Sequence, residues 1–557
     1  MRCPESPLVG LRRMVEALTL LYALILEIAT HWPYDPTSYL RMVLRTQRPP
    51  SDKILHFIAY AILAALLWAC VRLRAATLPR ATAWVIAIIA VWAAVDEATQ
   101  PFFYRAAERL DWVYDMGGAA LGCAVAILGD RLLAARPRSI TAPPTRDTLL
   151  VVSQVYPPDP AAVGQHLADA TEEMVRRGWR VVVYTARRGY DDPSVLYPSA
   201  EIRRGVDVRR LPLSSFGKSS IGVRLVAQSL FMAQAVVRGL FIRRLAGILV
   251  STSPPFAGFG GTIISWIRRV PLVWWAMDIN PDQMVNSGRI GAQSFVARIF
   301  DWMNRRTLAR AIAVIVLDDY MKERMLRKAD VGDRMHVIPP WPLENHLEII
   351  PHQSNSFRHR HGLDGKHVVM YSGNAGYSSP LATLLAAAKR LEGVATLRFV
   401  FIGGGVVKRE IDEMVARDRP PNILTLPYQP LETIRYSLSA GDVHVVSIAD
   451  EGVGVVHPCK IYGAMALGKP VLALTPLQSH AADIVRDYGC GWSVQHGDVD
   501  TLMAILHGIQ EMPRENLEAM GRAAINAVNT GFSHARLLGA VCDVIEGSMI
   551  DRTEHRS

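Results

Sequence analysis

The pattern of apolar and polar positions changes twice along the chain. Up to about residue 135 four apolar stretches dominate, roughly 14–30, 54–71, 81–95 and 112–129. Each is near the length an α-helix needs to cross a hydrocarbon core. They predict a four-helix transmembrane unit at 1–135. A signal peptide does not account for the first stretch, because no small-residue cleavage site follows it and three more stretches come after. Residues 136–147, RPRSITAPPTRD, have no periodicity and read as a linker. From 148 apolar runs alternate with helical stretches: TLLVVSQV, GQHLADATEEMVRRG, WRVVVYTA, then runs at 246–251, 271–276 and 312–317. After Pro339, Pro340 and Pro342 the alternation begins again with KHVVMYSGN, LRFVFIGGG, NILTLPY, DVHVVSI and KIYGAMALGKPVLAL. Such alternation predicts parallel sheets with right-handed crossovers and ligands at the carboxyl ends of the strands. The expected soluble part is therefore α/β, two Rossmann-like domains facing a cleft. The first spans 148–342 and the second, with C-terminal helices, 343–557.

Composition narrows the class. At 557 residues the chain is too long for one core. Six cysteines without a CxxC pair provide neither a disulfide framework nor a zinc ribbon, which suits a reducing compartment. The net charge of +10 is spread over both parts, so no nucleic-acid-type basic block stands out. Much of it is arginine in pairs, among them Arg243 and Arg244, Arg268 and Arg269, and Arg305 and Arg306. Such pairs suit anionic lipid headgroups. The stretch 222–245, GVRLVAQSLFMAQAVVRGLFIRRL, is apolar around much of a helix and carries arginine at both ends. It is expected to lie in a membrane interface.

Polar residues in the membrane unit are organised. Asp52, His56 and Tyr60 recur at i, i+4 and i+8, hence on one helix face. Asp96, Glu97 and Gln100 end the third stretch, and Arg105, Asp111 and Asp115 precede Gly117, Gly118 and Gly122. Ionisable residues at membrane depth are costly and point to a functional site. Over about 50–125 these residues resemble the VanZ-like membrane family.

In the soluble part, YPPDPAAVGQHLADATEEMVRRGWRVVVYT, STSPPF, WWAMDINPD, MYSGNAG, FIGGG and PCKIYGAMALGKPVLAL follow one another in an order that resembles glycosyltransferase family 4, particularly its surface-polysaccharide members. There is no GxGxxG of a dinucleotide-binding enzyme. The resemblance implies a GT-B fold, a nucleotide-sugar donor and transfer with retention to a lipid-linked, polyprenyl-type acceptor. It further implies a multi-pass protein of the inner (cytoplasmic) membrane with its transferase domains in the cytoplasm. Membrane lipids are expected partners and nucleic acid is not.

The chemistry needs charge stabilisation on a departing diphosphate. Lys460 and the backbone at Gly373, Asn374, Gly452 and Gly454 are the candidates, with Gly164 opening the first helix of the domain as an anion-favouring N-terminus. Asp278, after a predicted strand, is the candidate on the acceptor side. No DxD suited to Mg or Mn is present, so no metal or cofactor is expected. The family's Glu-x7-Glu is absent: Val455 and Gly463 stand at its positions. Glu451 is the expected replacement for the first carboxylate, and His457 and Tyr462 the expected contacts to ribose or base. The missing carboxylates leave two other readings open: a catalytically lapsed nucleotide-sugar-binding protein coupled to the membrane unit, and a nucleotide-sugar 2-epimerase of the same fold.

Overall fold

A computed structural model describes residues 7–30, 52–74, 77–99, 109–134, 147–189, 192–214, 221–343, 348–430 and 432–550. The chain divides into two compact units, Met1–Ile140 and Thr141–Ser557. Gln100, Arg105 and residues 136–146 of the expected linker lie outside the described residues.

The first unit holds the helices Pro7–Thr30, Asp52–Leu73, Leu78–Thr99 and Arg109–Ala134. Among the described residues two segments are long and apolar enough to cross a membrane, Lys53–Arg72 and Leu78–Asp96, rather than the four expected. Of the predicted polar residues, His56 and Tyr60 find partners on other helices, while the side chains of Asp52 and Glu97 lie outside those described. His56 Nδ1 lies 3.1 Å from Asp115 Oδ1, and the Tyr60 hydroxyl donates to Asp96 at 3.3 Å. A Cβ at Gly118 would stand 2.2 Å from the Phe57 carbonyl oxygen, so the two helices approach backbone to backbone.

The second unit contains two sheets. The first has β1 Thr148–Val152, β2 Arg180–Ala186, β3 Ala200–Arg203, β4 Val206–Leu211, β5 Leu245–Val250, β6 Leu272–Trp275, β7 Ala313–Val316 and β8 Met335–Val337. Their spatial order is β3-β4-β2-β1-β5-β6-β7-β8, parallel apart from the β3–β4 hairpin. The second has β9 His367–Asn374, β10 Leu397–Gly404, β11 Ile423–Leu426, β12 Val443–Ser447, β13 Val471–Leu474 and β14 Gly491–Val494. Its order is β11-β10-β9-β12-β13-β14, and every pairing is parallel. Helices cover both faces, which is why β1, β6, β7 and β13 are apolar without alternation and buried throughout. Both sheets reverse their strand order once, between β1 and β5 and between β9 and β12. Loops splay apart at such a reversal and open a crevice at the strand ends.

The last helix, His534–Ile550, departs from the expected domain scheme. It packs against Ala162–Arg176 and the first sheet, although the chain has already built the second. Arg177 donates to Asp543 (2.7 Å) and Glu546 (3.0 Å), and Trp179 Nε1 donates to Glu546 (3.1 Å). The apolar clusters of the two units share no residue, so the second carries complete cores of its own.

Candidate active site

At the β9/β12 reversal the backbone of β9 ends in Gly373 and Asn374. The short helix Lys460–Ala466 delivers Lys460 to the same point. Lys460 Nζ donates to the Tyr371 hydroxyl (2.6 Å) and the Asn374 carbonyl (2.9 Å), and lies 4.2 Å from the Tyr371 ring centre. Gly373 is necessary here: its φ is +123°, and a Cβ would come within 2.7 Å of Lys460 Cε. Beside it runs the loop Gly403–Gly405, and Gly405 begins the helix Val406–Asp418 without a side-chain cap. A Cβ on Gly405 would meet Asn374 Oδ1 at 2.6 Å. Lys460, Gly373, Asn374 and the start of a helix without a side-chain cap, whose Val407 N–H donates to the Ala375 carbonyl at 3.1 Å, thus converge. Burial lowers the Lys460 ammonium pKa to about 7, so a bound anion would restore its charge.

His457 and Tyr462 have another setting than the one read from the sequence. Both side chains are fully buried. Asp318, which follows β7 in the first domain, accepts from His457 Nδ1 at 2.7 Å. With that tautomer His457 Nε2 accepts the Tyr462 hydroxyl proton (2.8 Å), and the Tyr462 oxygen accepts from His480 Nε2 (2.9 Å). Neither residue therefore presents its polar atoms to a ribose or a base. They form the second domain's part of a four-residue chain that joins the domains. Burial alone would raise the Asp318 pKa, but the hydrogen bond from His457, with His480 and the Met321 N–H, holds it below the usual carboxylate value. Burial takes His480 down to about 3 and pushes Tyr462 well above its ordinary value. Nearby, His166 packs edge-on to Trp341 with ring centres 4.9 Å apart, and burial lowers its pKa to about 4.

Asp278 sits on the first domain's side of the cleft. Its backbone bridges to Val456, and Ile279 N–H donates to the Val455 carbonyl at 3.0 Å, so Val455, at one of the missing carboxylate positions, serves as a seam between domains. Burial raises the Asp278 carboxyl pKa to about 6 against the pull of His457. Glu451 is exposed, and its carbonyl accepts from Asn286 Nδ2 of the first domain. Gly452 is buried under Ile448. Gly454, at φ +69°, lets the loop approach Tyr320, whose carbonyl oxygen would be 2.6 Å from an added Cβ. Gly164 is likewise a packing glycine, with the Tyr156 backbone 3.1 Å from an added Cβ. The structure thus gathers Lys460, Gly373 and Asn374 at one point and spreads Glu451, Gly452, Gly454 and Val455 along the domain seam. Tyr371, Asp318 and His480 were missed from the sequence. Asp318 had a signal, since it follows an apolar strand just as Asp278 does.

Residues 161–341 match the family described as glycosyl transferase 4-like domain, and 353–527 that described as glycosyl transferases group 1. Residues 7–99 match a family described as predicted membrane protein (DUF2238), which does not confirm the VanZ-like resemblance read over about 50–125. A protein named as a probable glycosyltransferase, WbjE of Pseudomonas aeruginosa, is 22% identical over 68% of this chain and 93% of its own length. WcaI of Escherichia coli (strain K12), named as a colanic acid biosynthesis glycosyl transferase, is 22% identical over 67% of this chain and 94% of its own. Among solved structures, HepE of Anabaena in complex with UDP-glucose aligns with a TM-score of 0.54 at 17% identity, over 72% of this chain and 100% of that one. Sucrose-phosphate synthase of Thermosynechococcus elongatus aligns at 0.55 and 16%, over 74% and 100%. At these identities the likeness is one of fold.

Proposed function

Because residues 161–341 and 353–527 are the paired domains of a GT-B glycosyltransferase, we propose that the chain moves a sugar from a nucleotide-sugar donor to a lipid-linked glycan or polysaccharide intermediate at the membrane. The observation that carries the donor side is Lys460, held at the strand-order reversal beside the start of the helix Val406–Asp418. The UDP-glucose in HepE supports a nucleotide sugar there. The colanic acid relative supports a surface polysaccharide as product, and the membrane-type unit at 7–99 supports a lipid-linked acceptor met on the cytoplasmic side.

In this reading the diphosphate leaves against Lys460 and the uncapped start of Val406–Asp418. The bond from the anomeric carbon to the phosphate oxygen breaks as the acceptor oxygen bonds to the same face. The acceptor proton passes to the departing phosphate oxygen, so retention needs no separate base. Met277 stands where related enzymes often carry His or Arg, and Asp278 accepts a hydrogen bond from the acceptor. Membranes containing the protein, incubated with labelled nucleotide sugars and lipid extract, should yield a labelled lipid product. Donor binding without transfer across the whole panel would favour the lapsed-enzyme reading instead. The second expectation concerns metal. Among the described residues no group of three or more His, Cys, Asp or Glu side chains is placed to hold an ion. Transfer should survive EDTA, and a loss restored only by Mg or Mn would overturn the metal-independent reading.

A further inference from the structure

The stretch 208–277 contains no Asp or Glu. It contributes two of the helices on one face of the first sheet, where the short helix Asp319–Leu326, from β7 to β8, also lies. Ile221–Leu240 leads from β4 to β5, Ala257–Arg268 from β5 to β6, and Phe295–Arg310 from β6 to β7. Right-handed crossovers place all three on the same side. Ala162–Arg176 and His534–Ile550 cover the other. The three helices pack in order: Arg268 donates to the Leu240 carbonyl at 2.6 Å, and the Phe259 and Trp302 rings meet at 5.2 Å.

The inward residues of Ile221–Leu240, such as Phe231 and Ala235, are fully buried, so this helix is part of the core. Its outward residues are nonetheless apolar: Val226, Leu230 and Val237 are exposed, as is Phe241 beyond its end. The neighbouring helices continue the feature with Trp266 at 68% exposure, Phe295 at 74% and Trp302. A soluble surface has no use for such a run of large apolar groups. Around them stand Arg224, Arg238, Arg243, Arg244, Arg269, Arg298 and Arg306, and the only acid on the three helices is Asp301, already paired with Arg305 at 2.7 Å and Lys328 at 2.8 Å.

We propose that this three-helix face docks on the surface of an anionic bilayer, with the arginines at the headgroups and Phe241, Trp266, Phe295 and Trp302 in the acyl boundary. Charge complementarity selects the occupant: three helices with one acid among many arginines attract phosphate-bearing lipid, with Asp319 and Glu323 confined to the adjoining short helix and, among the described residues, Arg244 the one arginine of the set already ion-paired, to Asp147 at 2.7 Å. The sequence alone had indicated one interfacial helix, and the fold extends it to three. The face also continues into the cleft. A cavity of about 370 Å³ lined by Arg298, Trp302 and Arg305 is shared with Asp282 and Asn286, and Asn286 donates to the Glu451 carbonyl in the other domain. The proposal deepens the lipid-linked reading of the acceptor but is tested without sugar transfer.

The test uses residues 147–557, which carry complete cores, sedimented with vesicles of phosphatidylglycerol or phosphatidylcholine. Binding is expected to phosphatidylglycerol at low salt, to weaken steeply in high salt as the headgroup attraction is screened, and to be absent with phosphatidylcholine. Trp266→Glu and Phe295→Glu should each lower vesicle affinity roughly tenfold. Both side chains are exposed, so an unchanged melting curve checks the fold. Undiminished binding of the double variant, or no binding of the parent at low salt, overturns the proposal. In the full chain, hydrogen exchange over 257–268 and 295–310 should slow in anionic nanodiscs and stay fast in zwitterionic ones, and equal rates in the two would count against it.

Discussion

Lys460→Ala should leave the fold intact and remove most donor binding and turnover. A charge-assisted bond to phosphate is worth roughly 1.5 to 3 kcal/mol, or about 10- to 150-fold in affinity. The parent's pH dependence carries its own sign. With the free ammonium pKa at about 7, binding of a diphosphate takes up a proton above that value. Donor affinity should therefore fall as pH rises past 7, approaching tenfold per pH unit, and the alanine variant should lack this slope. Donor titrations of both proteins at several pH values decide it. Equal affinity, or an equal slope, would remove Lys460 from the site.

The second unit should also lose stability sharply in mild acid. His166, His444 and His480 are held by burial at about 4, 4 and 3, whereas an unfolded histidine titrates near 6.5. The unfolded chain thus binds more protons below about pH 6.5. Stability is complete above that value and is lost as pH falls towards the folded values, by ~1.4 kcal/mol per pH unit for each group. At pH 5 the three together cost ~6 kcal/mol, a large part of a typical domain's stability. Thermal melts of 147–557 at pH 7.5, 6 and 5 should show a steep decline. His444→Gln, which keeps a donor for the Leu438 carbonyl now 2.9 Å from His444 Nε2, should lessen it. A melting temperature indifferent to pH across this range would show that these histidines titrate normally.

Much of the architecture was legible because buried parallel strands are apolar without interruption. TLLVV, KHVVMYSGN and LRFVFIGG announce themselves, and the elements they predict are present. The β3–β4 hairpin was missed because AEIR and VDVRRL are short, and alternate or lack apolar residues as edge strands do. In the membrane unit the two middle stretches were legible from their uninterrupted apolar runs, and both return as helices long and apolar enough to span. Within the site, Lys460 was legible from its place before AMALGKPV. The partners of His457 were not, because 139 positions separate it from Asp318 and only the fold brings them together. The same applies to Gly454, whose sequence context suggests a phosphate loop and whose neighbour is the Tyr320 backbone.

The return of His534–Ile550 to the first sheet also orders events on the ribosome. The first domain emerges early, yet one layer over β5, β6 and β7 is supplied by residues made after the whole second sheet. Until then Gly247 and Cys542 have no contact with their eventual neighbours, Met549 and the Ala170 carbonyl. The nascent chain must therefore hold an apolar sheet face uncovered while the whole second domain is translated. Loss of His534–Ile550 would strip the domain made first, not the one made after it.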